Sequence, residues 1–398
     1  MIDESEDQDF FEFIDPLENK ASRDTWQKHW NNMPTYNNVW ESPPEITAKF
    51  KFKTVKDYEE FKRKARKYLY NDLKPFDGQQ GKTSKQAWFP HKEKDSTFIY
   101  NDTNPINPRF PIYIVSKGRF NKNPTSISLN KMKIPFFVIV EENEYDSYCA
   151  NEFIDANNVL ILPNKYKEEY DVFWDDDDDR TGPGAARNFA WDHSIENGFD
   201  WHWVMDDNIE NFFRLDDNKK IECSSGTMFY SCEDFVLRYK NIAQAGLQYF
   251  FFVPSRESRP AYRVNTRIYS CLLIRNDVPF RWRGRYNEDT DLSLRMMKEN
   301  WCTVQFNHFL QGKMNTQEMR GGNSDEFYDG EGTLNKSQML VDMHPDVTSL
   351  VWRYERWHHY VDYSSFAKKS LIFKDNLEIP NNDNNYELIR QKKIIDLK

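Results

Sequence analysis

The sequence predicts an α/β fold: a mostly parallel sheet with flanking helices, preceded by a small α/β accessory module. Three observations carry that expectation. Apolar runs over 110–116, 136–140, 159–163 and 201–205 are too short for helices and suit strands buried on both faces. Segments with apolar residues at helical spacing lie between them. The runs end in polar residues, and in open α/β sheets ligands collect outside the carboxyl ends of the strands. The central stretch is Trp201-His202-Trp203-Val204-Met205-Asp206-Asp207-Asn208, where an apolar run meets two carboxylates and an amide. At such a strand end, Asp206 and Asp207 suit Mg²⁺ or Mn²⁺, which prefer hard oxygen ligands. A solvated turn is the plainer reading of those residues taken alone.

Composition narrows the function classes. A chain of 398 residues can bury a large core and form two domains. Its net charge of −10 argues against nonspecific coating of nucleic acid but leaves room for a local basic groove. No stretch approaches the length of a membrane span, and the acidic start over 1–9 lacks the pattern of a signal peptide. Five cysteines without a C-x-x-C pair read as reduced thiols in a cytoplasm.

In chain order, 1–20 is an acidic tail with Phe10, Phe11 and Phe13. The accessory module spans 21–107 and opens with Trp26, Trp30 and Trp40 around a polar linker. A strand is expected over 47–55 and a helix from 55 to about 69, with Tyr58, Phe61, Ala65, Tyr68 and Leu69 at helical spacing. A polar turn over 78–85 follows, and an Asn- and Pro-rich linker over 101–108 closes the module. It holds no catalytic constellation.

The main domain is expected over 108–366. Its first strand ends in Ser116-Lys117-Gly118-Arg119 and its second in Glu141-Glu142; a helix over 143–157 leads to the third. Ser116, Lys117, Arg119 and Glu141 then gather at the same sheet edge as Asp206. The five aspartates over 175–179 read as a solvated loop. After them, Gly182-Pro183-Gly184 opens a helix over 185–197 and offers free amides to a phosphate. The turn lacks the third glycine of the dinucleotide fingerprint, and no G-x-x-x-x-G-K-[ST] loop occurs. Arg187 in the first turn opposes the helix dipole, so an anion is expected beside it.

A further strand over 270–274 precedes the basic-aromatic loop Phe280-Arg281-Trp282-Arg283-Gly284-Arg285-Tyr286. Asn287-Glu288-Asp289-Thr290-Asp291 then opens a helix to about 300. Acidic residues in a first turn are explained by capping alone. The glycine-rich block over 321–333 reads as a flap, with Lys313 and Lys336 able to close on phosphate. Arginines at 256, 259, 263, 267, 275, 281, 283 and 285, interleaved with Tyr262, Tyr269, Trp282 and Tyr286, suit a groove for nucleic acid with a base turned out. Salt bridges to the acidic remainder account for them nearly as well. The segment over 352–363 is aromatic and basic, and 367–398 is a polar tail.

Pro111-Ile112-Tyr113-Ile114-Val115-Ser116-Lys117-Gly118-Arg119, Val140-Glu141-Glu142, Gly182-Pro183-Gly184-Ala185-Ala186-Arg187-Asn188 and Trp203-Val204-Met205-Asp206-Asp207-Asn208 resemble, as an ordered set, the TET-associated glycosyltransferase family, over roughly 108–360. The resemblance implies a GT-A-like fold. It implies transfer of a sugar from a nucleotide sugar, a UDP-sugar first, to a 5-hydroxymethylated pyrimidine, with 5-hydroxymethylcytosine preferred. The acceptor is double-stranded bacteriophage DNA, in the cytoplasm of an infected bacterium. By position, Ser116, Lys117, Arg119, Glu141, Arg187 and Asp206 bind the donor. Asp207, Asn208 and His344 hold Mn²⁺ or Mg²⁺, with D-D-N where the family resembles D-x-D. Asp289, with Glu288 beside it, is the base. Arg281, Arg283, Arg285 and Trp282 contact DNA. Two other classes stay open: a non-catalytic module that recognises modified DNA, which would tolerate Asp207→Ala, and a sugar-active enzyme with a protein or small-molecule acceptor.

Overall fold

The strand β5 (Trp201–Asp206) sits inside the molecule because both of its faces are apolar. Trp201, Trp203 and Met205 pack to one side with Phe229, whereas Val204 packs to the other with Trp191. That is the condition under which a continuous apolar run, rather than an alternating one, makes a strand. In the computed structural model, residues 26–38, 52–65, 98–174, 182–254, 259–313, 332–353 and 356–393 are described.

The first elements are α1 (Val55–Ala65), β1 (Phe98–Asp102), β2 (Ile112–Val115), α2 (Pro124–Lys131), β3 (Phe137–Val140), α3 (Tyr145–Cys149), β4 (Val159–Ile161), α4 (Lys165–Glu168) and α5 (Gly184–Glu196). After β5 come β6 (Ile209–Asp216), β7 (Lys219–Cys223), α6 (Thr227–Val236), β8 (Ile242–Tyr249), β9 (Tyr262–Val264), β10 (Cys271–Arg275), α7 (Glu288–Lys298) and β11 (Cys302–Lys313). The chain ends with α8 (Gly332–Met343), the hairpin β12 (Thr348–Arg353) and β13 (Arg356–Val361), and β14 (Leu388–Lys392).

One twelve-stranded sheet organises them in the order β14-β1-β7-β6-β11-β8-β10-β5-β2-β3-β4, with β9 on β11. The run β5-β2-β3-β4 is parallel, which aligns the carboxyl ends of those strands: Val115 stands opposite Asp206 and Val140 opposite Ile161. Beyond β5 the sheet is mixed. The strand β10 runs antiparallel to both β5 and β8, and β6 runs antiparallel to β11 and β7. The β6–β7 hairpin closes on Asp217 and Asn218, both at positive φ, as a two-residue turn that follows strand twist requires. The expected parallel sheet is thus one flank of a larger mixed one.

Several boundaries differ from the sequence reading. Trp30 and Met33 belong to the main core, with Trp30 stacked on Tyr262 at 5.9 Å. The strand β1 lies within the main sheet, between β14 and β7. Neither segment is part of a separate accessory module. The expected polar tail forms β14, paired along β1 from Phe98↔Lys392 to Asp102↔Leu388. Its exposed Arg390 and Lys392 charge the sheet's outer edge, a common guard against edge pairing. Val55 begins α1 rather than ending a strand, and the expected helix over 143–157 is broken. Asn151 accounts for the break: its side chain donates to Phe120 O at 2.7 Å and accepts from Phe153 N at 2.9 Å, diverting the backbone from the helix. The tail over 1–20, the turn over 78–85, the aspartates over 175–179 and most of the glycine-rich block lie outside the described residues. Among the described residues, no helix is long and apolar enough to cross a membrane.

Candidate functional site

The carboxyl ends of β2 and β5 meet in a charged cluster. Ser116 follows β2 directly, and its Oγ lies 2.6 Å from Asp207 Oδ2 and 2.6 Å from the Tyr148 hydroxyl. Arg119, three residues on, is buried and pairs with Asp207 Oδ1. Asp207 is itself only 4% exposed. Burial raises its pKa, with Arg119 opposing. Asp207 therefore ties the loop after β2 to the turn after β5, and both its oxygens face protein partners.

Asp206 points the other way. Its Oδ1 accepts from Arg187 at 2.8 Å and its Oδ2 from Lys313 at 2.8 Å. Burial alone would raise its pKa, but Lys313 and Arg187 hold the carboxyl well below the usual range. Lys313, at the end of β11, also reaches Ser270 Oγ at 2.8 Å, and Ser270 meets the Tyr249 hydroxyl at 2.7 Å.

Arg187 is the hub. The anion expected beside it is supplied by the protein: Asp206 on one side and Glu288 Oε1, at 2.9 Å, on the other. Its guanidinium also lies over the Trp282 ring, 4.6 Å from the centroid. Two glycines admit this geometry. Gly182 has φ +59, and a Cβ on Gly184 would fall 1.8 Å from the Tyr170 hydroxyl. The Gly-Pro-Gly turn is thus packed against the protein, with Arg285 O only 3.2 Å from where a Gly182 Cβ would stand.

Helix α7 brings the second group of carboxylates. It starts from Asn287 in the left-handed region, without a side-chain cap. Glu288 turns to Arg187. Asp289 is half-buried, and its Oδ1 accepts from Thr290 N at 2.8 Å; no ion pair reaches it among the described residues. Burial, followed by the charge of Glu288, pushes its carboxyl up to about 7. Asp291 is structural. It is fully buried and collects Arg283, Arg295 and His344, which outweigh burial and lower its pKa.

The remaining expected site residues are dispersed. Lys117 is exposed at the rim. Glu141 pairs with Lys167 of α4; β3 is two strands from β5, which separates them by about 9–10 Å. His344 does not join Asp207. Its Nε2 meets Asp291 Oδ1 at 2.9 Å, and its Nδ1 meets Lys298 Nζ at 3.0 Å, so both ring nitrogens are used. Asn208 is 1% exposed. Both oxygens of Asp206 and Asp207 and both nitrogens of His344 face protein groups. No cluster of three or more His, Cys, Asp or Glu able to hold a metal occurs among the described residues.

The basic-aromatic loop also differs from expectation. Trp282 is 1% exposed, beneath Arg187, and cannot stack on an extruded base. Arg285 is buried as well. Arg283 holds Asp291 and Arg281 holds Asp192, at 3.1 Å each, and only these two arginines of the loop reach the surface. Interleaved basic and aromatic residues here build a support for α7. Ser270, at φ +63, and Tyr249 position Lys313 and carry no local signal in the sequence.

The fold and the cluster define an α/β protein with a charged site at the carboxyl ends of its parallel strands. The chain matches the family described as TET-associated glycosyltransferase over residues 110–322, more than half of its length, and belongs to that family. It is thereby a glycosyltransferase by family. A comparison with curated proteins found no match.

Proposed function

We propose that this glycosyltransferase moves a sugar from a nucleotide-sugar donor, a UDP-sugar first, to the hydroxymethyl group of a pyrimidine in duplex DNA, on a GT-A-type sheet. Asp289 carries the reading: a carboxylate close to neutral pKa, free of ion pairs among the described residues, one residue from the Arg187–Glu288–Asp206 network. A general base works best when its pKa lies near the working pH. In the transfer, the acceptor oxygen bonds to the anomeric carbon, its proton passes to an Asp289 oxygen, and the bond from that carbon to the diphosphate breaks. Negative charge grows on the departing phosphate, and fixed cations at the sheet edge stabilise it. The parallel edge with Ser116, Arg119 and Asp206 supports the donor assignment, because strand ends are where such sheets bind nucleotides.

Arg281 and Arg283 remain as DNA contacts at the rim, next to the first turn of α7. The test is digestion and mass spectrometry of DNA incubated with a panel of nucleotide sugars. Hydroxymethylcytosine duplexes should gain one hexose or pentose. If hydroxymethylcytosine and hydroxymethyluracil duplexes both stay unmodified with every donor, the acceptor assignment fails.

A further inference from the structure

We infer that this site holds the donor's diphosphate with an organic cation, Lys313, in the position where a divalent metal is expected. The inference rests on the nucleotide-sugar reading and deepens it.

Three carboxylates, Asp206, Asp207 and Glu288, face three cations, Arg119, Arg187 and Lys313, through pairs at the two strand ends and the start of α7. A divalent cation would have to displace these partners before it could bind their oxygens. Arg187 resists displacement because Glu288 holds its other nitrogen and Trp282 lies against its face. Its side chain is only 3% exposed, so removing it from Asp206 would leave a buried charge uncompensated.

Lys313 differs in kind. Its side chain is 16% exposed, it sits at the last residue of β11, and it is a flexible ammonium on a long stem. A diphosphate arriving at the strand ends can take that ammonium from Asp206 without disturbing the Arg187 fork. A lysine ammonium binds phosphate as a point charge, and here it supplies part of the charge neutralisation that a metal gives elsewhere.

The experiment is calorimetry with uridine diphosphate and with inorganic pyrophosphate on the full chain, in EDTA and in Mn²⁺. Electron paramagnetic resonance of free Mn²⁺ is read in parallel. Binding should be the same in both buffers, and no stoichiometric Mn²⁺ should be taken up with or without uridine diphosphate. Lys313→Met should weaken both ligands by about tenfold to a hundredfold, the loss expected for a charged hydrogen bond. Lys313→Arg, which keeps the charge, should recover part of it. Binding that EDTA abolishes and Mn²⁺ restores, or one Mn²⁺ bound per chain with uridine diphosphate, overturns this inference and leaves the nucleotide-sugar reading intact. If neither ligand binds in either buffer, both readings fall together.

Discussion

Replacing Asp289 by asparagine removes the proton acceptor while keeping side-chain size and the hydrogen bond from Thr290 N. Asp289 titrates at about 7 because burial and the neighbouring Glu288 disfavour its charged form. In the wild type, then, about a tenth of the carboxyl is ionised near pH 6 and about nine tenths near pH 8. Turnover should rise about tenfold across that window and level off above it. In Asp289→Asn, turnover should fall by about 10²–10⁴, and the rising limb should vanish, with donor affinity retained. Stability moves the opposite way. The folded-state pKa lies above the unfolded value of 3.8, so protonation favours the fold. That contribution is complete below about 4 and is lost as pH climbs through about 7. The gap is worth at most about 4 kcal/mol, and less here because solvent reaches this half-buried group. Asp289→Asn should accordingly melt higher than the wild type at about pH 8, with the difference shrinking toward pH 5. Stopped assays of sugar transfer and thermal melts at matched pH decide it. A flat rate profile with normal turnover in Asp289→Asn would reduce Asp289 to a helix cap.

Three further outcomes follow from the cluster. Arg187→Lys cannot bridge Asp206 and Glu288 with a fork, and breaking a buried pair of this kind costs about 3–5 kcal/mol, readable as a lowered denaturation midpoint. Trp282→Ala should cost about 3–5 kcal/mol of stability as a core truncation, whereas a direct base contact would lower DNA affinity and leave the melt unchanged. Arg281→Ala should leave stability intact, since its Asp192 partner is exposed too, and should lower the slope of log affinity against log salt for DNA by about 0.9. An unchanged slope in fluorescence anisotropy would remove Arg281 from the DNA surface.

Much of the sheet edge was legible because strands buried on both faces announce themselves locally. Trp201 to Asp206 reads as a strand from its own side chains, and the parallel pairing of β2 with β5 brings Ser116 and Asp206 to one edge. What local pattern cannot give is the partner across the fold. Lys313 lies 107 residues from Asp206, and only the β11–β6 pairing places its ammonium on that carboxylate. The same limit applies to inside and outside. Trp282 and Arg285 look like surface chemistry beside Arg281 and Arg283, yet they turn inward to support Arg187 and α7. Leu388-Ile389-Arg390-Gln391-Lys392 reads as a polar tail because an edge strand can afford charge on its open side. His344 looked like a ligand by type and position; the fold gives both its nitrogens other work in holding Asp291 and Lys298.

The central claim is that a sugar leaves a nucleotide and arrives on a hydroxymethylated base in one active site. It is tested most directly by measuring both products in the same quench: nucleoside diphosphate released and glycosylated nucleoside formed. The account predicts equal amounts on hydroxymethylated duplexes, neither product on unmodified duplexes, and the loss of both in Asp289→Asn. Nucleotide sugar consumed without any gain of mass on DNA, or transfer that proceeds equally well on unmodified duplexes, would contradict it.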